Sequence, residues 1–199
     1  FRRDDLEAIL GEASVEQRLA FALAAYAGLR AGEVRGLRWP DVDLTGNTIT
    51  VRRAMTRGEE STPKSGHQRR VPFAEPLRGL LLHAQSVRSG PWATVALTGH
   101  GKPWRDFGLN QAFKRVQERA RRSGWSFHDL RHYCATELFR LGVGAPTVQR
   151  ILGHAELSTT QRYADMTERD LRAAVTLLGN GLATSETEVA KAATPTTEK

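Results

Sequence analysis

Residues 127–166 read FHDLRHYCATELFRLGVGAPTVQRILGHAELSTTQRYADM, and the periods within them fix what kind of domain this is. A helix is predicted from about Asp129 to Leu141, with Cys134 and Leu138 on its apolar face and Gly142 closing the run. Pro146 then opens a second helix that Gly153 ends, and after Ser158 a short third helix carries Tyr163. Polar, chemically capable side chains sit at the ends of these helices: His128, Arg131, His154 and Tyr163. Cys134 lies on the apolar face beside Leu138 and reads as a core residue, not a nucleophile.

Upstream, the pattern continues in two registers. Asp4 to Leu10 is a helix stopped by Gly11, and Ser14 with Gln17 forms a capping box for a second one, carrying Leu19, Leu23 and Tyr26 and ending near Gly28. A short helix after Arg30 buries Val34 and Leu37. The period then changes: Val42–Leu44, a Thr45-Gly46-Asn47 turn, and Thr48–Arg52 read as a β-hairpin. Thr56 to Gln68 is polar, with Gly58, Pro63 and Gly66, and is expected to be a long flexible turn leading to a strand at Arg69–Val71. Pro76 starts a helix through Val87. Asp106 is expected to cap a helix that puts Phe113, Val116 and Ala120 on one face and Lys114, Arg115, Arg119, Arg121 and Arg122 on the other. The fold class is therefore mainly α (α+β): a helical domain with a small three-stranded antiparallel sheet. Downstream, Thr167 caps a last amphipathic helix. Residues 1–182 form the expected domain, and 183–199, where Val189 is the one large apolar residue, read as a disordered tail.

Composition narrows the partner. The 199 residues carry 29 Lys and Arg against 22 Asp and Glu, a net charge of +7, with a pI near 10.2. Arginine grips phosphate oxygens with a planar fork, so double-stranded DNA is the expected partner. One cysteine builds neither a disulfide nor a thiolate metal cage, and fits a reducing compartment. With no run of 18 apolar residues and no leader, no membrane association is expected and the localisation reads as cytoplasmic. The start at Phe1, without an initiator methionine, suggests a fragment or a processed product.

The polar residues gain meaning as a set: Arg30 in GLRAGEVRGLRW, Lys64 in TPKSGHQRRVPF, His128 and Arg131 in FHDLRHYCAT, and His154 and Tyr163 in ILGHAELSTTQRYADM. Taken singly, each is a common surface or packing residue. Their order, local sequence and spacing resemble the tyrosine recombinase (phage integrase) family from Phe1 to about Leu178. Flanking residues agree: Glu33 three after the first arginine, RRVPF after the lysine, and LGH nine residues before the tyrosine. The resemblance implies the DNA breaking-rejoining type of catalytic domain and a link from Tyr163 to a 3′ phosphate with release of a 5′ hydroxyl. Strands are then exchanged without ATP, metal or cofactor. It also implies a homo-tetramer on DNA and an N-terminal DNA-binding domain that this chain lacks, and it leaves room for an accessory directionality factor.

In-line exchange at phosphorus concentrates negative charge on the nonbridging oxygens, and fixed cations must meet it. Arg30 and Arg131 supply that clamp, and they also favour the anionic form of a phenol whose ordinary pKa is about 10. Lys64 is the implied proton donor to the departing sugar oxygen, while His128 and His154 hydrogen-bond the phosphate or move protons. Three other readings compete. His128 and His132 have zinc-ligand spacing, but Asp-Leu-Arg lies between them where zinc hydrolases place Glu first, and Arg131 would set a cation beside the metal. Ala145–Gly153 with its flanking helices could belong to a non-catalytic DNA-binding module, and the same polar set could serve a type IB topoisomerase-like enzyme that nicks and reseals one strand.

Overall fold

A computed structural model describes residues 1–63, 67–87 and 93–153. All of them fall within one compact unit, Phe1–Tyr163. Lys64, His154, Tyr163, the two helices expected after Ser158 and the tail at 183–199 lie outside the described residues.

The helices are α1 (Arg3–Glu12), α2 (Val15–Ala27), α3 (Ala31–Gly36), α4 (Glu75–Ser86), α5 (Gly108–Arg119), α6 (His128–Arg140) and α7 (Ala145–Leu152). The strands are β1 (Val42–Asp43), β2 (Thr48–Val51), β3 (Ala54–Thr56), β4 (Glu59–Ser61) and β5 (Arg69–Pro72). At the centre is α2, whose residues Leu19 to Ala25 are all buried. A helix apolar all round has no face for solvent, and its alanines let neighbouring helices approach closely. The predicted capping box starts it: the Gln17 N–H donates to Ser14 Oγ at 3.3 Å and the Ser14 N–H to Gln17 Oε1 at 3.0 Å. Phe21, Phe113 and Phe127 meet edge to face, with centroids 5.2 to 6.2 Å apart, and lock α2 against α5 and the start of α6.

The small sheet is antiparallel in the order β1-β2-β5, as expected, with Ile49 opposite both Val42 and Val71. Alternation sets its inward face: Ile49, Val51, Val71 and, from the same face of β5, Arg69 are buried.

Two expectations fail. Part of the polar stretch 56–68 is not a turn: Ala54–Thr56 pairs with Glu59–Ser61 in a second ribbon, tightened by Arg57 at φ +54° and Gly58 at φ +81°. The ribbon buries only Ala54, so it leaves no apolar alternation to read. Asp106 does not cap α5. Its carboxylate pairs with Arg35 of α3, and Phe107, at φ +61° and 76% exposed, precedes the helix instead. α5 ends at Arg119, short of the expected Arg121 and Arg122, and its basic side is partly engaged: Arg119 donates to Glu12 O at 2.9 Å and Arg122, beyond the helix, pairs with Asp5 at 3.0 Å, both partners on α1.

α6 and α7 form a hairpin around Cys134, Ala135, Val148 and Leu152. Cys134 is buried there as expected, and burial pushes its thiol up to about 11, far from thiolate chemistry.

Candidate functional site

Glu33 is the centre from which the site can be built. α2 stops at Gly28, whose left-handed φ of +64° turns the chain and leaves room for Leu152, since a Cβ there would lie 2.5 Å from Leu152 Cδ2. Two residues on, Arg30 caps α3, and Glu33, in the first turn, accepts the Arg30 N–H at 2.8 Å. A carboxylate at this helix position compensates exposed N–H groups and the positive helix end. Here it does more. Glu33 is 1% exposed, and its two oxygens also accept the Arg30 side chain at 3.1 Å and both terminal nitrogens of Arg69 at 2.8 Å. Burial alone would raise the carboxyl's pKa. The hydrogen bonds and charge of Arg69, with the Arg30 N–H and the charge of Arg131, outweigh it and hold the group below its usual value.

The opposite wall is the C-terminal end of α7. A helix leaves its last carbonyls without intrahelical partners and carries partial negative charge there. Three arginines from three separate elements take three successive carbonyls. Arg69 Nε donates to Ile151 O at 2.9 Å, Arg131 to Leu152 O at 2.8 Å and Arg30 to Gly153 O at 3.4 Å. Arg131 also donates to Gly28 O, so its guanidinium ties the turn after α2 to the end of α7. Gly153, at φ +67°, has no room for a side chain, because a Cβ would stand 2.7 Å from Arg69 Cδ.

His128 begins α6, one turn before Arg131, with its ring edge to face on His132 at 4.5 Å. Its pKa is lowered to about 4, first by desolvation, then by His132, Arg131 and Arg30. Arg131, only 2% exposed, is lowered to about 9 by burial and then by Arg30, partly offset by Glu33. After desolvation, the two shifts share a second cause: among the described residues, Glu33 is the one carboxylate meeting Arg30, Arg69 and Arg131, so the cluster carries surplus positive charge with little water to screen it. A guanidinium has five N–H donors, and two carbonyls do not exhaust Arg131. Such a cluster can take up an anion.

Of the six residues picked out in the sequence, the structure brings Arg30, His128 and Arg131 into this one cluster, while Lys64, His154 and Tyr163 lie outside the described residues. Arg69 and the central place of Glu33 were not anticipated. The signals were an arginine at an inward position of a four-residue strand and a glutamate three residues after a helix cap. The other two tyrosines of the chain hold their protons more tightly than a free phenol: burial and Glu137 push Tyr133 up to about 12, and burial and Glu7 raise Tyr26. A separate cleft of about 670 Å³ between α3, the β3–β4 ribbon and residues 93–106 carries Arg35, Arg38, Arg57 and Arg105. No helix among the described residues is long and apolar enough to cross a membrane.

The sequence pattern of the phage integrase family matches residues 1–169. A protein of Sinorhizobium fredii named as an integrase/recombinase, y4gC, is 30% identical over 185 residues, covering 86% of this chain and 91% of its own length. The tyrosine recombinase XerA of Pyrococcus furiosus is 27% identical over 169 residues, 84% of this chain and 56% of its own; against such relatives the chain spans about half their length. Among solved structures, the integrase of transposon Tn1549 in complex with transposon right end DNA superposes with a TM-score of 0.77 at 21% identity, covering 90% of this chain and 65% of that one. At that identity the likeness speaks for the fold.

Proposed function

Starting from the premise that this chain belongs to the phage integrase family, we propose that it is the catalytic part of a tyrosine-type site-specific DNA recombinase, residues 1–182 being the catalytic unit. The observation that carries this reading is the surplus of guanidinium over carboxylate around Arg30, Arg69 and Arg131, beside an imidazole kept neutral at physiological pH. Relatives named as recombinases and a structural neighbour bound to transposon DNA support double-stranded DNA as the source of the anion.

In this reading the Tyr163 oxygen forms a bond to the scissile phosphorus as the bond to the 5′ oxygen breaks. Arg30 and Arg131 neutralise the nonbridging oxygens, Lys64 gives its proton to the departing 5′ oxygen, and His128 and His154 hydrogen-bond the phosphate or receive the phenolic proton. A 3′-phosphotyrosine and a free 5′ hydroxyl result. The bond energy is kept, so the 5′ hydroxyl of another strand can reverse the step and complete an exchange without ATP. Full exchange takes four copies on two duplexes, in the cytoplasm, and leaves room for an accessory directionality factor.

The test is covalent trapping. Incubated with a pool of nicked duplexes in EDTA, the protein is expected to yield an adduct that survives denaturing electrophoresis, from an encounter that weakens steeply as salt rises. Adduct formation that requires a divalent cation, or none on any duplex, contradicts the reading.

A further inference from the structure

Arg69 touches none of the atoms that the proposed reaction rearranges, yet the carboxylate that holds the clamp residue Arg30 is itself held by Arg69. Its fork spans three elements. From β5 it gives one terminal nitrogen to each oxygen of Glu33 on α3, both at 2.8 Å, and its Nε to Ile151 O on α7 at 2.9 Å. The same two Glu33 oxygens hold Arg30, one through its backbone N–H and one through its guanidinium. The orientation of that carboxylate, and with it of Arg30, is therefore set by Arg69. At its other end, Arg69 holds the first of three carbonyls whose successors are held by Arg131 and Arg30. His154 is covalently next after Gly153.

We propose that Arg69 is a positioning residue for strand cleavage. By joining Glu33 to the last turn of α7, it fixes Arg30 and the α7 exit, which leads to His154, in one frame. The chain accommodates it at a cost: position 153 is glycine, with no space for a Cβ against the Arg69 side chain. An arginine kept only to neutralise a buried carboxylate would be replaceable by lysine, whose ammonium is a point charge. Only the planar fork makes all three directed bonds at once.

This inference rests on the cleavage reading above. Its test therefore has one arm that uses DNA and one that does not. Arg69→Lys and Arg69→Met are compared with the wild type on whichever nicked duplex the wild type traps, and amide exchange of residues 149–153 is followed without DNA. Both variants are expected to form adduct about ten- to a hundredfold more slowly at saturating DNA, a misplacement effect. Affinity for the duplex should stay within about twofold of wild type, and exchange at the end of α7 should accelerate while that of α2 stays unchanged. Arg69→Ala should regain rate when ethylguanidinium is added, a response that a general loss of stability would not give. A lysine variant with wild-type rate and wild-type exchange would overturn the proposal. So would a loss of rate matched by an equal loss of DNA affinity, or one that ethylguanidinium leaves unrelieved. If the wild type traps no duplex, cleavage itself is refuted, and the exchange arm still decides whether Arg69 fixes the end of α7.

Discussion

Replacing Glu33 by glutamine changes one oxygen to an NH₂ group and should be among the most damaging isosteric changes the chain can suffer. Each Glu33 oxygen accepts two donors: Oε1 from the side chains of Arg30 and Arg69, Oε2 from the Arg30 N–H and Arg69. Whichever way the amide of Gln turns, its NH₂ faces two donors and both of those bonds are lost. Bonds to a charged partner contribute about 1.5–3 kcal/mol each. Breaking a buried pair from one side costs about 3–5 kcal/mol, because the cation left behind is uncompensated. The partial exposure of Arg30, at 23%, argues for the lower part of the summed range. A loss of about 3–5 kcal/mol is therefore expected for Glu33→Gln at pH 7. For a domain of this size that lowers Tm by about 6–20 °C, at about 2–4 °C per kcal/mol.

Thermal melts followed by circular dichroism read this out, and a pH series sharpens it. The folded pKa of Glu33 lies below its unfolded value near 4.5, so its contribution is fully present above that value. It is lost as the pH falls through the folded pKa. The gap between wild type and variant should thus be widest near neutrality and close in acid. A gap under about 1 kcal/mol at pH 7, or one that stays constant through the acid range, would refute the view that Glu33 is the electrostatic keystone.

Three further outcomes are expected. The His128 imidazole should titrate near pH 4 by NMR in the free protein, held down first by desolvation, and its pKa should rise on adding inorganic sulfate, because an anion among the arginines cancels the part of the depression that Arg131 and Arg30 cause; an ordinary value near 6.5 unchanged by sulfate would contradict this. Arg131→Lys should slow adduct formation by about 10²–10³, since one ammonium cannot replace a fork aimed at several acceptors, and wild-type rates would remove Arg131 from the clamp. Gly28→Ala should cost about 2–4 kcal/mol in chemical denaturation, combining the left-handed backbone with the clash against Leu152; undiminished stability would show that α7 does not pack there.

Periodicity made the helices legible because each buries a continuous stripe; α2 and α6 lie where Leu19, Leu23 and Cys134 put them. The β1-β2-β5 sheet was legible for the same reason at period two. What escaped notice lacks such a stripe: the β3–β4 ribbon buries one residue, and Asp106 was drawn from its expected cap by Arg35, 71 positions away in sequence. In the site, Arg30, His128 and Arg131 were readable because their order and local sequence match a family pattern, none of them telling alone. Arg69 was not, because its importance comes from contacts with residues 36 and 82 positions away, a closure no local pattern reveals.

The decisive measurement is the identity of the amino acid joined to DNA. Tryptic digestion of a trapped complex should release Tyr163 at the head of the peptide YADMTER, residues 163–169, bearing the nucleotide remnant on its phenolic oxygen. Mass spectrometry locates that remnant directly. Finding it on Tyr163, and finding no adduct with Tyr163→Phe, is the expected result. A remnant on Tyr26, Tyr133, a serine or a histidine, or an adduct that persists in the phenylalanine variant, would mean that the arginine cluster serves some other reaction.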